Sequence, residues 1–118
     1  MLFDNVDYLE TWRAMEKLVA SGKVRAIGVS NFNHVQLQRL IDCGSIKPSV
    51  LQVERNPRFS QPKLSKWCQD NDIVMIGYSP FGSPDLPWGR TDLPHILADP
   101  TIKEIAARVG KSTAQGCV

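Results

Sequence analysis

Short β-branched runs alternate along this chain with amphipathic stretches of helical period, and that alternation restricts the fold more than any other feature. "KVRAIGVS", "SVLQVE" and "DIVMIGYS" are too short for helices and rich in Val and Ile, which places strands near residues 24–29, 49–54 and 73–79. In "DYLETWRAMEKLVASG", Leu9, Trp12, Met15 or Glu16, and Val19 recur every three to four positions. Asp7 with Glu10 forms a capping-box pattern before that helix, and Gly22 fits a left-handed cap after it. "NHVQLQRLIDCG" carries Val35, Leu37, Leu40 and Ile41 behind an Asn33 cap and stops at Gly44. "SQPKLSKWCQDN" takes Ser60 as cap and Pro62 in its first turn, where a missing N–H leaves nothing unpaired. "DPTIKEIAARVG" has Asp99 as cap, Pro100 first, and Ile102, Ile105, Ala106 and Val109 on one face; "STAQ" then opens another capping box.

The resulting order is α-β-α-β-α-β-loop-α. Strands joined through helices run parallel, because the crossover helix returns the chain to the same end of the sheet. Near-continuous Val, Ile and Leu in the strands fits burial on both faces. The expectation is an α/β fold whose ligands bind beyond the carboxyl ends of the strands.

Composition serves mainly to exclude. With 118 residues, 42% apolar and 22% charged, the chain reads as a soluble globular protein with one small core. A net charge of +2 with scattered Lys and Arg argues against a nucleic-acid partner. No apolar run approaches the roughly 20 residues of a membrane span, and "MLFDNVDYLE" lacks the pattern of a secretory signal. Cys43, Cys68 and Cys117 fit neither a disulfide framework nor a metal site, so they read as reduced thiols of a cytoplasmic protein. His34 and His95 have no partner at a useful spacing and read as capping or surface residues.

Three strand ends collect polar chemistry. The first strand runs into Ser30 and Asn31, the second carries Gln52 and Glu54, and the third runs into Tyr78 and Ser79. Asn31 and Gln52 each donate and accept, matching both ends of an amide, and Tyr78 offers a ring to stack on. Such a set suits a flat heteroaromatic ligand bearing a carboxamide. The same residues also fit a plainer reading, with Ser30 and Asn31 as a helix cap, Gln52 satisfying neighbouring backbone and Tyr78 in the core. The loop "YSPFGSPDLPWG" follows, stiffened by Pro80, Pro84 and Pro87. Ser79 and Ser83, with backbone N–H groups opened by glycine, form a candidate phosphate cradle. Asp85 would repel phosphate and fits a salt-bridge latch, while Trp88 fits a pocket wall. A rigid structural loop is the alternative.

"GKVRAIGVSNFN", "VLQVERNP", "GYSPFGSPDLPW" and "DPTIKEIAARVGKSTAQ" resemble, in order and spacing, the C-terminal half of the aldo-keto reductases, in the aldose- and aldehyde-reductase branch. The resemblance implies a partial TIM (β/α)8 barrel, about three parallel strands with their helices, in a single partial domain over 1–118. It implies NADPH (NADP+) as cofactor, no metal, and reduction of small aldehydes and ketones to alcohols by hydride transfer. Position by position, Ser30, Asn31 and Gln52 match the carboxamide-holding residues and Tyr78 the stacking tyrosine. Ser79, Phe81 and Ser83 match the pyrophosphate stretch, Asp85 the latch of the cofactor belt, and Trp88 a substrate wall. The motifs that carry the family's catalytic Asp, Tyr, Lys and His are not found, so no catalytic residue is assigned and the chain alone is expected to be inactive. Leu51 and Arg55-Asn56 also depart from the family pattern, and Gly116 makes the final helix read as cut off. A partial barrel leaves open sheet edges, through which self-association is expected. A non-enzymatic binding module, as in lens crystallins and channel subunits of the superfamily, is the alternative function.

Overall fold

The computed structural model describes residues 5–83 and 95–118. Along the chain run α1 (Tyr8–Ala20), β1 (Gly28–Ser30), α2 (His34–Cys43), β2 (Val50–Glu54), α3 (Pro62–Asp70), β3 (Val74–Tyr78), a 3-10 turn (Ile96–Ala98), α4 (Pro100–Arg108) and α5 (Thr113–Cys117). The strands form one open sheet in the order β1-β2-β3. In β1 and β2, Gly28 lies beside Val50, Val29 beside Leu51 and Ser30 beside Gln52. Val74 N–H donates to Ser49 O at 3.0 Å, and Arg55 N–H donates to Tyr78 O at 3.1 Å. All three strands are therefore parallel, the α/β architecture expected of part of a (β/α)8 barrel. The chain divides into two compact units, Met1–Gln52 with Pro62–Ile76, and Val53–Gln61 with Gly77–Val118.

The first unit is organised by α1. Leu9 and Trp12 are buried with Ile27 and Leu40, and Met15, Val19, Val29, Phe32 and Ile46 pack around them. The Trp12 indole N–H donates to Ile46 O at 3.1 Å. Glu16 accepts from the N–H groups of Ser45 and Ile46 at 2.6 and 2.8 Å. Helix α1 thus grips the turn that launches β2. That grip requires glycine at position 44, where a Cβ would fall 2.7 Å from Leu40 O and 2.9 Å from Trp12 Nε1.

The caps depart from the sequence pattern where tertiary partners compete. Asp7 accepts from Leu9 N–H at 3.0 Å, but Glu10 N–H bonds the Asp7 backbone carbonyl. No reciprocal box forms, because both Asp7 carboxylate oxygens are drawn to Arg39 of α2, at 2.8 and 2.5 Å. Arg39 also lies over the Tyr8 ring, 4.9 Å from its centroid. Gly22 has φ +72, the left-handed conformation expected. In α2, Asn33 and Gln36 cap each other's backbone reciprocally, while Val35, read as apolar-face, is 63% exposed.

Ser60 is not the cap of α3; the helix starts at Pro62, directly after Gln61 at φ +50. At its other end Asp72 takes φ +53. The N–H groups of Asp72 and Ile73 return to the carbonyls of Gln69 and Cys68, a left-handed cap usually filled by glycine. Cys68 is buried at 1% exposure, and that burial raises its thiol pKa. Strand β1 is shorter than its β-branched run, since β2 pairs with it only from Gly28 onward.

In the second unit, Asp99 caps α4 and Ser112 with Gln115 forms the expected capping box of α5. Ala106 is buried, but Ile105 and Val109 of the same expected face stay exposed.

Two measurements check this description. A Cβ on Gly28 would meet Val50 O at 2.5 Å and Val50 Cβ at 2.9 Å, so Gly28→Ala should lower stability in urea by about 1–3 kcal/mol, as overpacking does. The Arg39 guanidinium and Leu9 N–H lower the Asp7 pKa from 3.8 to about 2. A depressed carboxyl pKa stabilises above the unfolded value and ceases to do so as pH falls through the folded one. Asp7→Asn, which keeps a good capping side chain, should therefore be less stable than the parent chain at neutral pH. Acid titration should show the gap closing between pH 3.8 and about 2.

Candidate functional site

At the end of β1 two donors converge on one acceptor. Ser30 Oγ–H donates to Gln52 O at 2.9 Å, and Asn31 N–H donates to the same carbonyl at 2.9 Å. Asn31 has φ 57, a left-handed turn that asparagine tolerates better than most residues. Strand order and these two bonds bring Ser30, Asn31 and Gln52 together, and all three are exposed. The plainer reading of Ser30 and Asn31 as a helix cap is displaced, because Asn33 caps α2 by accepting from Gln36 N–H at 2.9 Å. Gln52 does serve neighbouring backbone, but through its carbonyl, while its side chain faces out in a strand whose neighbours Leu51 and Val53 are buried.

In the second unit Tyr78 ends β3 and is 37% exposed, so it is not a core residue. The chain then turns through Ser79 at φ 50, Gly82 at φ 78 and Ser83 at φ 45. Gly82 N–H donates to Ser79 O at 2.9 Å, and the Ser83 hydroxyl donates to Ser79 Oγ at 2.6 Å. Left-handed non-glycine residues carry about 1–3 kcal/mol of strain each and gather at ligand clamps. Phe81 lies half-buried within this turn. Asp85 and Trp88, the expected latch and pocket wall, lie outside the described residues.

The turn after β2 is built from residues whose importance was not read from the sequence. Buried Asn56 pairs with Phe59 through backbone, accepts Arg58 N–H at 3.0 Å and donates to Glu54 Oε1 at 3.2 Å. Gln61 Nε2 donates to Glu54 O at 2.6 Å. Arg58 pairs with Asp99 at 3.0 Å, and together with Thr101 N–H it holds the Asp99 carboxyl below its usual range. The Asn56-Pro57 dipeptide was the available turn signal; the partner of Arg58, 41 residues on, left none.

The site chemistry is neutral at β1 and β2: amides and a hydroxyl suited to hold a carboxamide. Beyond β3 it is two hydroxyls bonded to each other beside a turn closed by the Gly82 N–H. Among the described residues, no three His, Cys, Asp or Glu side chains are grouped to hold a metal ion. A separate open depression of about 380 Å³ lies against α2 and Trp67 of α3, lined by His34, Val35 and Cys43 among others. Among the described residues, no helix is long and apolar enough to cross a membrane.

A parallel α/β sheet with this polar edge belongs to the class of barrel-type folds that bind ligands at the carboxyl ends of their strands. Within that class the chain belongs to the Aldo/keto reductase family, whose sequence model matches residues 2–118. It is similar to aldo-keto reductase family 1 member A1 of Gallus gallus, 46% identical over 115 residues, 98% of this chain and 35% of that protein. The protein of the same name from Xenopus tropicalis is 46% identical over 113 residues, 96% of this chain and 35% of that one. Aldo-keto reductase family 4 member C11 of Arabidopsis thaliana is 46% identical over 110 residues, 93% of this chain and 34% of its own length. The chain thus spans 34–35% of the length of these relatives.

Ser30→Ala should loosen the end of β1 by about 0.5–1 kcal/mol, the value of one modest hydrogen bond. Faster hydrogen exchange at the Asn31 amide, which shares the Gln52 carbonyl, is the expected readout.

Proposed function

We propose that this chain supplies the cofactor-holding side of an NADPH-dependent carbonyl reductase of the aldose- and aldehyde-reductase branch, acting in the cytoplasm on small aldehydes and ketones. The observation that carries this reading is the cluster of Ser30, Asn31 and Gln52 at the end of the β1–β2 pair. Its donor set fits a nicotinamide carboxamide, since neutral amides and a hydroxyl satisfy both ends of an amide without leaving a charge unpaired. When bound, the reduced nicotinamide supplies the hydride that converts a carbonyl carbon to an alcohol carbon.

This chain's own residues bind and orient. Ser30, Asn31 and Gln52 hold the carboxamide and so fix which face of the ring is presented. Tyr78 stacks on that ring, worth about 0.5–1.5 kcal/mol beyond area burial. Ser79, Phe81 and Ser83 meet the pyrophosphate, with Asp85 as latch and Trp88 as substrate wall. None of these side chains is assigned the proton transfer to the carbonyl oxygen, a step worth about 10²–10⁴-fold. In this reading the chain is the C-terminal portion of the family's fold and is inert without the remainder. The exposed Val74 and Ile76 of β3 are then an apolar surface that further barrel strands or a second copy would cover.

Fluorescence titration with NADPH, run beside a carbonyl turnover assay, tests the proposal. Saturable binding without turnover is the expected result. Gln52→Ala and Tyr78→Ala should each weaken binding by about 3- to 10-fold, the equivalent of one hydrogen bond or one stacking contact. Lack of binding by the parent chain would overturn the cofactor assignment, and robust turnover would overturn the assignment of the proton donor to other residues.

A further inference from the structure

Among the described residues, buried Ile96 lies against the turn that carries Ser79 and Ser83. Ile96 is 4% exposed, and its Cδ1 lies 2.9 Å from where a Cβ on Gly82 would be. Ile96 is itself held by the 3-10 turn that it begins, closed by Asp99 N–H donating to Ile96 O at 3.1 Å. Asp99 therefore acts in two directions. Its backbone closes the Ile96 turn, while its carboxylate accepts from Thr101 N–H at 3.0 Å and pairs with Arg58 at 3.0 Å. Arg58 is fixed in turn by Asn56, which accepts its backbone N–H in the turn just after β2.

We propose that Arg58 and Asp99 are positioning residues: their ion pair sets Ile96 against Gly82 and so holds the Ser79–Ser83 turn in the shape that receives an anionic, pyrophosphate-bearing ligand. The ligand clause rests on the cofactor reading above; the positioning clause does not. Serines with positive φ keep that conformation only where their surroundings over-determine it, and among the described residues those surroundings include Gly82, Ile96 and the elements that place Ile96. With side chains only 32% and 25% exposed, the pair is less screened by solvent than a surface pair.

The test separates this role from simple helix capping. Asp99→Asn keeps a side chain that caps α4 through Thr101 N–H but removes the charge that Arg58 meets. Arg58→Met keeps the stem and removes the fork, and Arg58→Lys restores the charge. In the full chain, amide hydrogen exchange at Gly82, whose N–H donates to Ser79 O, should quicken by about 2- to 5-fold in Asp99→Asn and Arg58→Met. Arg58→Lys should restore most of the protection, and in Arg58→Met, where the Asp99 carboxylate still caps α4, exchange at Thr101 should not change. NADPH affinity, read by fluorescence, should fall by a similar factor of about 2–5 in the first two variants. Unchanged Gly82 exchange, or equal quickening at Gly82 and Thr101 in Arg58→Met, overturns the positioning role. Faster Gly82 exchange with undiminished NADPH affinity overturns the link to the ligand. A parent chain that binds no NADPH refutes the cofactor reading and the ligand clause together, while Gly82 exchange still decides the positioning clause.

Discussion

The indole of Trp12 is the contact on which the first unit depends. It fills the space between α1, Ile27 and Leu40, and its N–H spends its one hydrogen bond on Ile46 O. With Glu16 taking the N–H groups of Ser45 and Ile46, one helix satisfies the backbone of the turn from which β2 departs. A buried indole without that acceptor would leave a donor unpaired, and the turn without the helix would leave two. The register of β2 follows from where this turn is held, and with it the location of Gln52 O, to which the end of β1 is tied.

Left-handed backbone recurs just after the strands, as it does on either side of α3 at Gln61 and Asp72. Asn31 after β1 and Ser79 and Ser83 after β3 all take left-handed backbone, conformations that an unconstrained chain would abandon. Each is held by named bonds: Asn31 N–H to Gln52 O, Gly82 N–H to Ser79 O, and the paired hydroxyls of Ser79 and Ser83. Stability is surrendered locally so that particular polar groups stand in particular places.

Local features were readable from the sequence, and long-range ones were not. The helices, the caps at Asn33, Asp99 and Ser112, and the parallel strand order follow from periodicity and short-range capping chemistry. The position of Ser30 and Asn31 beside Gln52 follows from strand order as well. What escaped depends on partners distant in the chain. Arg39, 32 residues beyond Asp7, draws the carboxylate out of the expected box, and Arg58 reaches Asp99 across 41 residues. The extent of β1 was overestimated because a strand ends where its neighbour does, whatever its own β propensity. Val35 satisfied the helical period, yet that period does not say how wide the buried stripe is. Gln61, not Ser60, precedes α3, since its amide is engaged by the Glu54 carbonyl.

Cys68 shows what sealing a reactive group inside a helix entails. Its sulfur is enclosed and its thiol disfavours the reactive anion, while Cys43 stands exposed on α2. A thiol-directed reagent would therefore reach exposed Cys43 and half-buried Cys117 without any opening of α3, and Cys68 only during excursions in which α3 lifts from its neighbours. The helix carries a built-in clock of its own breathing, and the slow labelling phase would report how often that part of the molecule comes apart.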